Sequence, residues 1–132
     1  MPHGEVPARF HDILDSTALG HLATVDRHGL PQCNPVWFLW DGRHILLSMR
    51  PVTRKYANLR RNPNVALSIL DLNRPERYLE IRGEVIEFEL FEDLTFVNRL
   101  ARKYTGADFT QGYPGEHRYK ITVQVNAWTG QG

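Results

Sequence analysis

The residues best suited to chemistry lie in one run, Ser48-Met49-Arg50-Pro51-Val52-Thr53-Arg54-Lys55-Tyr56-Ala57-Asn58-Leu59-Arg60-Arg61-Asn62-Pro63. A strand end presents a hydroxyl, a proline turns the chain, and Thr53 is placed to cap a short helix that Asn62-Pro63 stops. Unpaired backbone N–H groups and the positive end of a helix dipole then coincide with two cationic side chains, Arg54 and Lys55. Cations in a first helical turn oppose the dipole and cost a few tenths of a kcal/mol each unless an anion offsets them. The pattern is that of a phosphate site, with a solvated basic helix as the plainer alternative.

Other chemistry is sparse. There is no GxGxxG or Walker loop, no HExxH, no paired CxxC and no GxSxG. His3, His11, His21, His28, His44 and His117 are scattered without metal-ligand spacing, so no metal is expected. Cys33 falls in an alternating strand with no helix N-terminus beside it, which predicts a packed, inert thiol.

Charge placement says more than charge balance. Sixteen Lys and Arg face fifteen Asp and Glu for a net charge of +1. From Gly42 to Leu70 there is no acid, yet Arg43, Arg50, Arg54, Lys55, Arg60 and Arg61 all fall there; from Asp71 to Asp93 acids dominate. One cationic segment in a near-neutral chain predicts a local anion site. A nucleic-acid groove needs a broader positive face, and the acidic stretch would interrupt it, so nucleic acid is not an expected partner.

The elements that must position this segment follow from periodicity. Val6, Phe10, Ile13 and Leu14 predict a helix from Pro7 to Leu19 that stops at Gly20. HLATV, an Asp26-Gly29 turn and a strand from Pro31 to Trp40 form a hairpin, whose apolar VWFLW end must be covered on both faces. Strands follow at His44–Met49, at VALSILD and at Tyr78–Phe88, where the inward phase changes after Gly83 and predicts a bulge. Phe91, Leu94, Val97, Leu100, Ala101 and Tyr104 predict a helix of about four turns ending at Gly106, and Tyr119–Trp128 alternates cleanly as a last strand. The total, about six strands with three helices, fits one mainly β domain over residues 1–132: a small barrel with peripheral helices. No apolar run approaches the roughly 20 residues that cross a bilayer, no signal peptide is apparent, and a single cysteine suits a reducing cytoplasm.

Taken in order, GHLATVDRHGLPQCNPVWFLWDG, RHILLSMRPVTRKYANLRRNPNVALSILD, YLEIRGEVIEF, LARKYTGADF and YPGEHRYKITV resemble the pyridoxamine 5'-phosphate oxidase-like split β-barrel superfamily. Within it the likeness is to actinobacterial flavin/deazaflavin oxidoreductases that use coenzyme F420, and it runs from about Ile13 to Val125. The resemblance implies a six-stranded antiparallel split barrel of the FMN-binding type. It further implies a homodimer with cofactor clefts between subunits, and F420, or alternatively FMN, as cofactor. The family's phosphate-binding residues would fall on Ser48, Met49, Thr53, Arg54, Lys55 and Asn58. Gln32, Asn34, Pro35 and Val36 would run beside the ring, and Tyr78 and the segment Tyr113 to Arg118 would reach in from the partner subunit. Arg50, Arg60 and Arg61 would meet the anionic tail of F420. Some relatives carry an arginine where Thr53 stands and a polar residue where Pro35 stands, which shifts phosphate binding here toward Lys55 and removes one donor to the ring. The implied activity is hydride transfer from reduced F420 to an electron-poor substrate; an FMN-dependent oxidase or flavin reductase and a non-catalytic F420-binding protein are the alternatives.

Overall fold

The computed structural model describes residues 2–112 and 116–132. Its strands are β1 (Gly20–Val25), β2 (Pro31–Val36), β3 (Leu39–Trp40), β4 (His44–Met49), β5 (Asn64–Leu70), β6 (Tyr78–Phe91) and β7 (Arg118–Gln131). All pair antiparallel in one sheet of order β2-β1-β5-β6-β7-β4-β3. Three helices accompany it: α1 (His11–Asp15), entered through a 3-10 turn, α2 (Arg54–Arg61) and α3 (Thr95–Thr105). Asp26 makes the β1–β2 turn as its chemistry predicts, its Oδ1 accepting from the N–H groups of His28 and Leu30.

Among the described residues the strand count is seven, not six, because the expected strand from Pro31 to Trp40 breaks at Trp37-Phe38. Its halves, β2 and β3, lie on opposite margins of the sheet with only those two residues between them. The sheet must therefore curl until its margins almost meet, which makes the split barrel. Phe38 turns wholly into the core, and side chains of α3 replace its ladder partners. Its N–H donates to Tyr104 Oη at 3.2 Å, and its carbonyl accepts from Lys103 Nζ at 2.9 Å. Trp37 stacks on the Tyr104 ring, with centroids 5.4 Å apart and planes 5° from parallel. The covering element for this doubly apolar stretch is thus α3, whose Phe96 and Leu100 pack with Leu46 as a second small core.

The main core lies inside the curl, where Leu22, Ile45, Leu47, Leu67, Leu79 and Ile121 meet Phe10, Ile13 and Leu14 from the N-terminal helix. That helix ends at Asp15 rather than Leu19, because Ser16 Oγ donates to Ile13 O and accepts from Ala18 N–H, turning the chain early. Gly20 consequently opens β1 instead of stopping a helix. Likewise α3 begins at Thr95, whose N–H donates to Asp93 Oδ1, and Phe91 belongs to the longer β6. The predicted bulge is present: the β6–β7 register shifts at Arg82/Gly83 and again at Val85/Glu87. A Cβ on Gly83 would stand 2.1 Å from the Gln124 carbonyl oxygen, so the two backbones approach too closely for any other residue.

One ionic tie anchors the N-terminal helix. Arg77, almost fully buried, pairs with Asp12 at 2.8 Å and Asp71 at 2.9 Å and donates to the Arg9 carbonyl. Asp71 is held below the usual carboxylate range by the Asn73 N–H and then by Arg77; for Asp12 the Arg77 hydrogen bond is the main cause. A carboxyl whose folded pKa lies below its unfolded value stabilises the fold above that unfolded value and loses its contribution as pH falls through the folded one. The urea midpoint is therefore expected to drop as pH is lowered below about 4. Arg77→Met should lower the midpoint at neutral pH and flatten this acid limb.

Candidate functional site

The predicted strand-turn-helix forms as its chemistry dictates. After β4 ends at Met49, Thr53 closes the turn, its N–H and Oγ1 donating to the Arg50 carbonyl at 3.2 and 3.0 Å. Thr53 Oγ1 then accepts from the Tyr56 N–H at 3.3 Å and caps α2, whose first turn carries no acid. Lys55 projects from that turn onto a cavity of about 610 Å³. Ser48, from the end of β4, lines the same cavity, together with Pro35, Val36 and Trp37 where β2 runs into the corner. Facing them are Val97, Leu100 and Ala101 of α3 and Phe109 in the segment that follows it.

The cavity has an apolar wall and a cationic end, the usual constitution of a site for an organic ligand with a charged group. Ser48 Oγ is fully buried and has no hydrogen-bond partner among the described residues. Leaving a buried hydroxyl unpaired costs about 1–3 kcal/mol, so an acceptor brought within reach of this atom would be stabilising. Arg118, at the start of β7, completes the cationic end; its Nε donates to Glu116 Oε2 at 2.7 Å, and its guanidinium lies 4.8 Å from the Phe109 ring centre. Asp108 also lines the wall, but Arg102 pairs with it at 2.6 Å. Beneath the apolar wall, burial pushes Lys103 down to about 8, against the opposing pull of Asp15, and pushes Tyr104 up to about 12.

Comparison with known proteins identifies the family and the fold. A family model described as pyridoxamine 5'-phosphate oxidase matches residues 6–128. The chain belongs to the pyridoxamine 5'-phosphate oxidase family. A solved structure described as an F420 reductase is 35% identical, superposes with a TM-score of 0.85, and the match covers 94% of this chain and 98% of that one. A conserved hypothetical protein from Mycobacterium tuberculosis is 23% identical, with a TM-score of 0.72 over 97% of this chain and 85% of its own. General Stress Protein 26 from Bacillus anthracis, at 18% identity, has a TM-score of 0.68 over 92% of this chain and 90% of its own; these last two share the fold. No curated protein matches the chain.

Against this family fold, the residues implied by resemblance separate into groups. Pro35, Val36, Ser48 and Lys55 meet at the cavity. Gln32 and Asn58 instead bond each other: buried Asn58 donates through Nδ2 to Gln32 Oε1 at 3.2 Å and to Thr24 Oγ1 at 3.0 Å, bracing α2 on β1 and β2. Met49 points into the core, the Thr53 hydroxyl is spent on its cap, Arg54 is exposed, and Asn34 lies half-buried on β2 without lining the cavity. Tyr78 pairs with Gln131, at the end of β7 opposite Arg118. Arg60 lies 4.0 Å over the Phe88 ring and donates to Tyr56 Oη at 2.8 Å, while Arg50 stands 4.0 Å from Glu116. Tyr113, Pro114 and Gly115 lie outside the described residues.

Cys33 is exposed rather than packed, because the sheet margin formed by β2 turns its Pro31, Cys33 and Pro35 phase outward. Among the described residues no cluster of His, Cys, Asp or Glu could hold a metal, and no helix is long and apolar enough to cross a membrane. Sequence reasoning missed Trp37, the α3 wall and Phe109 as site residues. The α3 stripe reads as ordinary core, and only the isolated aromatic in the glycine-flanked TGADFTQG segment hinted at a ligand wall.

Since Tyr104 Oη serves both the Phe38 N–H and the Ala18 carbonyl, Tyr104→Phe leaves two backbone groups unpaired behind the cavity. The expected loss is about 1–3 kcal/mol of stability, measured by urea denaturation; an unchanged midpoint would show that the corner does not depend on this hydroxyl.

Proposed function

We propose that this protein is an F420-dependent oxidoreductase that transfers a hydride from the reduced deazaflavin to an electron-poor organic substrate. The observation that carries the reading is the buried Ser48 Oγ, without a partner among the described residues, on the same cavity of about 610 Å³ as Lys55 from the capped start of α2. The 35% identity to an F420 reductase over nearly the full length of both chains supports the choice of cofactor.

When bound, the cofactor supplies the redox chemistry. The chain supplies binding, orientation and exclusion of water. Ser48 Oγ, Lys55 and the α2 N-terminus are the donors for a phosphate. Val36 and Trp37 offer an apolar edge for the ring, and Leu100, Ala101 and Phe109 keep water from its face. Hydride addition leaves the substrate as an anion whose completing proton comes from solvent or a nearby tyrosine, so no dedicated acid–base pair is required of the protein. The exposed outer phase of β2, with Pro31, Cys33 and Pro35, is a suitable surface for a second copy, and a homodimer with a cleft at each junction is part of the proposal.

Family membership favours FMN as a second reading, since FMN and F420 share a ribityl phosphate that the same donors would hold. Spectral titration of the purified protein with F420 and FMN side by side separates the two. Lys55→Ala is expected to weaken binding of the true cofactor by about 10- to 100-fold, as loss of a charge-assisted phosphate contact would. Undiminished F420 affinity in that variant, by fluorescence titration, refutes the assignment. Tight F420 binding without turnover of quinones, enones or tetrapyrroles would identify a carrier instead of an enzyme.

A further inference from the structure

Arg118 is held in an unusual way for a surface-strand arginine. Its side chain is only 16% exposed, Glu116 takes its Nε–H at 2.7 Å, and Phe109 lies beneath the guanidinium. Bonding through Nε leaves both terminal NH₂ groups, the forked end that matches an oxyanion, without a partner among the described residues, and Arg118 lines the cavity. Glu116 is buried and faces two cations, Arg118 at 2.7 Å and Arg50 at 4.0 Å. The strand register sets the direction: Met49 pairs with Tyr119 and Ser48 with Lys120, which puts Arg118 beside the end of β4, where Ser48 and the turn to Lys55 lie.

We infer that Arg118, aimed by Glu116, is a phosphate-binding residue of the same cavity and joins Ser48 and Lys55 in a three-sided oxyanion cradle supplied by one chain. This rests on the cofactor reading above for the identity of the ligand, but not for the oxyanion chemistry. Glu116 acts through Arg118 as a positioning residue. It fixes the guanidinium plane before a ligand arrives, so little side-chain entropy is lost on binding.

The test uses the full chain with Arg118→Gln, Arg118→Lys and Glu116→Gln, each checked for fold by circular dichroism. The ligands are F420, F420 stripped of its glutamates, the dephosphorylated deazaflavin core, FMN and riboflavin. Arg118→Gln should weaken phosphate-bearing ligands by about 10- to 100-fold and leave the dephosphorylated core and riboflavin unchanged. Arg118→Lys should restore only part of the loss, since an ammonium lacks the fork, and it carries the test if Arg118→Gln does not fold. Glu116→Gln, which retains the cation but loosens its aim, should show a smaller loss confined to the same ligands.

Equal loss for phosphorylated and dephosphorylated forms overturns the inference, as does undiminished binding of FMN or of tail-less F420. A loss seen only with full-length F420 also overturns it, assigning Arg118 to the glutamate carboxylates. If the wild-type chain takes neither flavin nor deazaflavin, the cofactor reading alone falls. Pyrophosphate then serves as probe: a rise in the thermal midpoint of wild type but not of Arg118→Gln sustains the cradle, and no rise in wild type refutes it.

Discussion

The fold turns on how the chain satisfies the backbone of Phe38. A strand that leaves one margin of a sheet and joins the other two residues later must abandon its ladder at the crossing, and a buried peptide unit without partners is costly. Lys103 and Tyr104 resolve this from the last turns of α3, giving the Phe38 carbonyl and N–H their hydrogen bonds, with Trp37 stacked on the tyrosine ring. Barrel closure, the seat of α3 and the back of the cavity are therefore one arrangement. Burial holds the tyrosine in its protonated form, able both to accept from Phe38 and to donate to Ala18.

The same arrangement divides the cavity into two chemistries. Its apolar side is the face of α3, held there by the corner; its cationic side gathers where β4, α2 and β7 come together. Side chains a few residues apart in sequence take different tasks. In the second strand, Gln32 serves the Asn58 brace while Val36 faces the cavity; in α2, Lys55 faces the cavity while Asn58 ties the helix down and Arg60 covers aromatic rings. A helix whose first turn carries two cations and no acid thus owes its place to a buried amide three residues further on.

How much of this was legible depended on the range of the interaction. The Thr53 cap, the Asp26 turn and the Gly83 bulge arise from contacts within a few residues or from a change of inward phase, and periodicity reveals them. The break at Trp37-Phe38 left only an ambiguous trace, a run apolar on both faces, because its partners lie 65 and 66 residues away on α3. Arg77 looked like one cation in an acidic stretch, since its partner Asp12 is likewise 65 residues away.

By itself the amino-acid sequence determined a mainly β chain of this family, and a cationic, capped helix start suited to phosphate, because these rest on local propensity, charge and resemblance. Only the tertiary structure decided that Asn58 and Met49 are spent on the fold and that Ser48 keeps a buried hydroxyl unpaired. It also brought Arg118 to the same cavity as Lys55. The physical reason is that a side chain's partners are set by which strands meet across a curled sheet, and a one-dimensional pattern carries the phase of each strand but not its neighbour.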